Sequence, residues 1–246
     1  MRSKEKPNSS ERLGTEKPSK LILNLAVPAM IGIFVMALYN LVDMFYISLG
    51  EGVDAVAGLT VSFPVMMIVM TLAASVGVGT SSVIARRLGE QRVNESNMIF
   101  GTYIFLLLLI SIVSILVGIF LLDDLLMLFG ATENIIGYAS AYMYPILLGF
   151  IFVSFSMATN IILRAEGNAK FAMYAMIIPA ILNIIIDPIL IFDFGFGLGV
   201  MGAGIATVIS HAIMSIIILI YYRKDHSSLT IQLNYIRMRI STIKEF

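Results

Sequence analysis

Two aspartates stand in stretches that otherwise read as hydrocarbon. Asp187 lies in LNIIIDPILIF, residues 182–192, and Asp43 in YNLVDMFYISLG, residues 39–50. A carboxylate at the centre of a membrane-spanning helix costs ~2.5 to 3.5 kcal/mol on insertion scales, so such residues turn to a bundle interior or a watery cavity and mark ion or substrate paths. Each has an amide at helical spacing. Asn183 precedes Asp187 by four residues and Asn40 precedes Asp43 by three, which puts each pair on one helix face. Thr207 adds a hydroxyl in a later apolar stretch. Carboxylate, amide and hydroxyl oxygens are ligands for a hard cation, and a carboxyl is equally a carrier of a proton.

The elements that must hold these groups are membrane helices. The chain has 246 residues, of which 59% are hydrophobic and 13% charged, against roughly a quarter charged in soluble domains. About 20 mostly apolar residues cross a bilayer core, and six stretches qualify: Leu21 to Leu49, Ala55 to Ala85, Asn97 to Leu122, Ile135 to Leu163, Phe171 to Phe192 and Val200 to Tyr222. None alternates as a barrel strand would. The expected fold is therefore all-α and polytopic, with a polar tail over 1–20, a six-helix unit over 21–222 and a second tail over 223–246.

Charge supplies an independent check on that count. The sixteen Lys and Arg residues fall six before the first span, three between the second and third (Arg86, Arg87 and Arg92), two between the fourth and fifth (Arg164 and Lys170) and five after the last. The other connections hold only acidic charges. By the positive-inside rule both termini are cytoplasmic, in a multi-pass protein of the cell membrane. The first and fifth helices then both run outward, and each aspartate sits five or six residues before its helix ends, ~8 Å below the outer boundary. Thr207, entering in the sixth helix, reaches a similar depth.

Two prolines mark candidate hinges. Pro188, next to Asp187, has no N–H for the carbonyl of Ile184, and such released carbonyls in broken transporter helices can coordinate a coupling ion. Pro28 lies in the inner half of the first helix, ~22 Å from Asp43. A bend there would swing the carboxylate relative to the fifth and sixth helices. Among sixteen methionines, Met36 and Met176 are candidates for an adaptable apolar pocket, although most methionines simply pack.

In family order the chain carries YNLVDMFYISLG after a kink proline, GTSSVIARRLGE after the second helix, NIILRAEGNAK between the fourth and fifth, and LNIIIDP followed by GVMGAGIATVIS. It resembles the N-terminal lobe of the multidrug and toxic compound extrusion (MATE) transporters over nearly all of Leu21 to Tyr222. The resemblance implies an exporter of organic, often cationic compounds in exchange for inward Na⁺ or H⁺, with no other cofactor. It further implies that Asp43, Asn183, Asp187 and Thr207 form the cation site of this lobe, with Tyr142 near it. Asn40 and Asn160 join Met36 and Met176 as substrate-cavity positions. The family has twelve spans in two lobes, so this chain is expected to be a fragment or truncated gene product that meets a second six-helix lobe, or a homodimer of half-transporters.

Other functions find little footing. The glycines of FGFGLGVMGAG sit between two membrane helices and suit close helix packing better than a phosphate loop. His211, one turn beyond Thr207, reads as a packing histidine ahead of a proton relay. No catalytic constellation is present, so an enzyme is not expected, and nothing points to nucleic acid. A flippase for lipid-linked oligosaccharide remains the alternative exporter. It would want basic residues in its cavity to meet pyrophosphate, and no Lys or Arg falls inside a predicted span. The remaining alternative is a degenerate half-protein that transports nothing.

Overall fold

A computed structural model describes residues 18–223 and 227–236; the rest of both expected tails lies outside the described residues. Among the described residues seven α-helices run as α1 (Pro18–Glu51), α2 (Val53–Gly89), α3 (Val93–Leu128), α4 (Ile136–Leu148), α5 (Phe150–Ala165), α6 (Ala169–Ile191) and α7 (Gly199–Arg223), and no strand occurs. Five of the helices are long and apolar enough to cross a membrane, and α4 with α5 makes a sixth span broken by a 70° bend.

That bend corrects the single fourth helix expected over Ile135 to Leu163. The break falls at Gly149, where Val208 of α7 occupies the space a side chain would need. Pro145, four residues earlier, has already removed one helical donor. By contrast α1 continues as helix through Pro28 and α6 through Pro188. The helices also overrun several apolar stretches: α3 continues past Leu122 to Leu128, taking in Asp123 and Asp124. Hydrogen bonding carries a helix beyond the hydrocarbon until the backbone is broken, here near Gly130, whose φ is +100°.

Helix α1 packs chiefly on α6, and α6 on α7; α2 packs on α3 and α5, and α4 on α7. The α7 contacts depend on its small residues. A Cβ on Gly202 would lie 2.7 Å from the backbone of Leu190, and one on Gly204 would lie 2.5 Å from the carbonyl oxygen of Tyr142. Small residues let membrane helices approach to backbone contact, and this approach brings α4, α6 and α7 together around Thr207.

Two apolar clusters fill the bundle. One, nearer the α1 C-terminus, includes Ile47, Leu59, Leu126 and Met143; the other, nearer the face where α1 begins and α7 ends, includes Phe100, Tyr103, Phe150 and Ile218. On that second face the segment 227–236 folds back under the bundle. Leu229 is fully buried, the Thr230 N–H donates to Asn97 Oδ1 at 2.9 Å, and Ser227 donates to Glu166 Oε2. The Tyr222 hydroxyl donates to Glu166 Oε1 at 2.8 Å. Burial pushes the Glu166 carboxyl up to about 7, and the bonds from Ser227 and Tyr222 pull it the other way.

Candidate functional site

Asp187 is placed by α6 and Asp43 by α1, the two helices with the broadest mutual contact. Both side chains are buried, at 0% and 4% exposure, and they face each other within hydrogen-bonding reach. Two carboxyls so close cannot both carry an uncompensated charge.

Asn183 determines how the pair is presented. Its amide nitrogen donates to Asp187 Oδ1 at 3.1 Å and to Thr207 Oγ1 at 3.3 Å, which uses both of its N–H groups. The amide oxygen is thereby turned away from both partners. That oxygen, Asp187 Oδ2 and Asp43 Oδ1 are all buried without a hydrogen-bond partner. Buried acceptors in this condition are rare and need an explanation. An oxygen-only set with unused lone pairs fits Na⁺ or a shared proton. Among the described residues no group of three His, Cys, Asp or Glu gathers that would suit a transition metal.

Tyr142 of α4 turns its hydroxyl towards Thr207 and lies near Asp43. Tyr39, one turn before Asp43, adds a hydroxyl close to both aspartates. The sequence points to Asn40 as the partner of Asp43 and leaves Tyr39 unmarked, yet the i, i+4 spacing of Tyr39 to Asp43 is a signal that could have found it. Asn40 makes no hydrogen bond to Asp43 among the described residues and stands on the wall of a neighbouring cavity.

That cavity, of about 440 Å³, opens beside the carboxyl pair without being lined by it. Asn40, Asn160, Met36 and Met176 all line it. Its apolar wall carries six methionines, Met36, Met66, Met67, Met70, Met157 and Met176, whose flexible thioethers adapt to ligands of different shape. Asn183 and Thr207 form part of the wall, so one network touches both the buried acids and the open space. Asn160 is buried and donates to the Ala172 carbonyl, tying α5 to α6. His211 also reaches the wall, and its Nδ1 has no partner.

One expectation fails here. Arg164, expected in the connection after the fourth span, belongs to the last turn of α5 and lines the cavity. The helix runs past the last apolar residue of its stretch, so hydropathy alone puts the boundary too early.

A family model described as MatE matches residues 28–189. The chain is 28% identical over 218 residues to the multidrug export protein MepA of Staphylococcus saprophyticus subsp. saprophyticus, covering 89% of this chain and 48% of that protein. Among solved structures it is similar to the MATE multidrug transporter DinF-BH, at 48% identity and a TM-score of 0.89, over 97% of this chain and 53% of that one. It is also similar to an outward-facing multidrug resistance MATE family transporter of the MOP superfamily, at 34% identity and a TM-score of 0.87, over 99% and 53% of the two chains. The chain spans about half the length of these relatives.

Proposed function

The chain belongs to the MatE family, as one six-span lobe of a multi-pass membrane transporter, and from that premise we propose that it serves a cation-coupled exporter of organic compounds. Inward Na⁺ or H⁺ would occupy the Asp43–Asp187 pair, and cargo would occupy the methionine-lined cavity. The second lobe comes from the remainder of a longer chain, from a separate chain or from a second copy. The lobe sits in the cell membrane with both ends in the cytoplasm, in keeping with the one-sided distribution of Lys and Arg.

The observation that carries the proposal is the trio of unpartnered buried oxygens, Asp43 Oδ1, Asn183 Oδ1 and Asp187 Oδ2, of which Asn183 itself stands on the cavity wall. Asn183 belongs to both, so ion or proton binding at the acids is mechanically linked to the space for cargo. Thr207, hydrogen-bonded to Asn183, carries that link to α7, and Tyr142 carries it to α4. Thus four helices register the occupancy of one small site. Pro28 and Pro188 are the positions at which α1 and α6 would bend in response.

Relatives named as multidrug exporters favour an organic cargo over a lipid-linked oligosaccharide. One guanidinium in the wall is also a thin complement for a pyrophosphate. The test is efflux of a fluorescent organic cation from vesicles that hold this chain with a second lobe supplied, with Na⁺ and pH gradients imposed separately. Efflux should follow one gradient and vanish in Asp187→Asn. Undiminished efflux by that variant would refute the role of the pair.

A further inference from the structure

Arg164 is the sole formally charged side chain on the wall of the methionine-lined cavity among the described residues. Its only hydrogen-bond partner there is Met176 Sδ, 3.3 Å from Nη2. A thioether is a weak acceptor, and a guanidinium has five N–H donors to satisfy. The nearest acid in sequence is no help to it. Glu166 is buried on Tyr222 and Ser227 and makes no ion pair with Arg164. Asn160, one turn earlier, spends its amide on the Ala172 carbonyl. A half-buried guanidinium with no ion pair among the described residues therefore looks into apolar space, where a charge partner is held far more strongly than in water.

The opposite end of the cavity has the other polarity. Asn183, Thr207 and Tyr39 form its wall, with Asp43 and Asp187 directly behind them. Met176, which touches Arg164, precedes Asp187 by about three turns of α6, which is ~16 Å. The two ends are thus a cation and a pair of acids, separated by a flexible apolar wall.

We propose that Arg164 is a specificity-determining residue that binds a carboxylate on the cargo, so that the preferred ligands of this lobe are zwitterionic amphiphiles, with the acid at the Arg164 end and the cationic body towards Asn183. The planar guanidinium takes a carboxylate through two parallel hydrogen bonds, which a lysine ammonium cannot match. This deepens the exporter reading and rests on it for the identity of the cavity as a cargo site.

The test uses this 246-residue chain in detergent and a matched pair of dyes: rhodamine B, a zwitterion with a free benzoate, and its ethyl ester, a plain cation. Fluorescence anisotropy titrations should give a dissociation constant roughly 10-fold lower for the free acid than for the ester, the scale of one charge-assisted contact. In Arg164→Gln the ratio should fall to about one, and Arg164→Lys should recover only part of it. Equal affinities in the wild type overturn the proposal, as does a ratio that survives Arg164→Gln. If Arg164→Gln loses both ligands through misfolding, the wild-type ratio and the Lys variant still decide. Binding requires no gradient, so failure here is distinct from failure of the export assay.

Discussion

Asn183 of α6 donates its amide to Thr207 Oγ1 of α7 at 3.3 Å, and this bond across two helices fixes which end of the amide is left for a ligand. With its second N–H on Asp187, Asn183 can offer only oxygen to the space beside Asp43. A single side chain thereby orients the acid pair, the cavity wall and the α6–α7 interface at once.

Replacing it tests that claim. Asn183→Ala deprives Asp187 Oδ1 and Thr207 Oγ1 of their shared donor and should lower stability by about 1 to 3 kcal/mol, the cost of buried groups left unsatisfied. Thermal unfolding in detergent measures this. A melting point equal to that of the wild type would mean that water replaces the amide freely and that the orientation argument fails.

Ligand linkage tests the site directly. If Na⁺ is the ion that the three free oxygens hold, Na⁺ at roughly 100 times its dissociation constant should stabilise the fold by about 2.7 kcal/mol. Equal concentrations of K⁺ should do much less, and Asp187→Asn should abolish the difference. Melting curves that respond to pH and not to Na⁺ identify the proton as the coupling species.

The close approach of α7 to α4 is open to a one-atom test. Gly204→Ala puts a methyl 2.5 Å from the Tyr142 carbonyl, where backbone must move, so a loss of about 1 to 3 kcal/mol is expected. The same shift should draw Thr207 away from Asn183 and weaken any Na⁺ stabilisation in parallel. An Ala variant with unaltered ion response would show that the network tolerates displacement of α7.

Glu166 predicts a pH dependence outside the spanning helices. Its carboxyl titrates at about 7 in the fold because burial opposes charge, against an ordinary value of about 4.3. The folded state therefore holds the proton more tightly than the unfolded state, and the contribution is complete below the ordinary value and is lost as pH rises through about 7. Hydrogen exchange of segment 227–236 should be slowest at about pH 4.5 and should quicken, once corrected for intrinsic rates, up to neutrality. Glu166→Gln should flatten that profile.

Asp43, Asp187, Asn183 and Thr207 stand out in the sequence because a polar group in an apolar helix is costly wherever its neighbours lie. Tyr39 and Arg164 do not. A tyrosine is ordinary in a membrane helix, and so is an arginine just past an apolar run. Only the packing of α5 and α6 turns Arg164 to the cavity, and only the pairing of α1 with α6 sets Tyr39 beside both acids.

The sequence by itself determined the six apolar stretches, their alternating loop charges and the short supply of interior polar groups. These follow from local sums of transfer energy and need no knowledge of neighbours. The tertiary structure decided that Asp43 meets Asp187, that Gly149 breaks the fourth span and that one cation lines the cavity. Helical periodicity fixes where a side chain points on its own cylinder, but the rotation of that cylinder and its choice of partner come from interhelical contacts such as those at Gly202 and Gly204, which no local window contains.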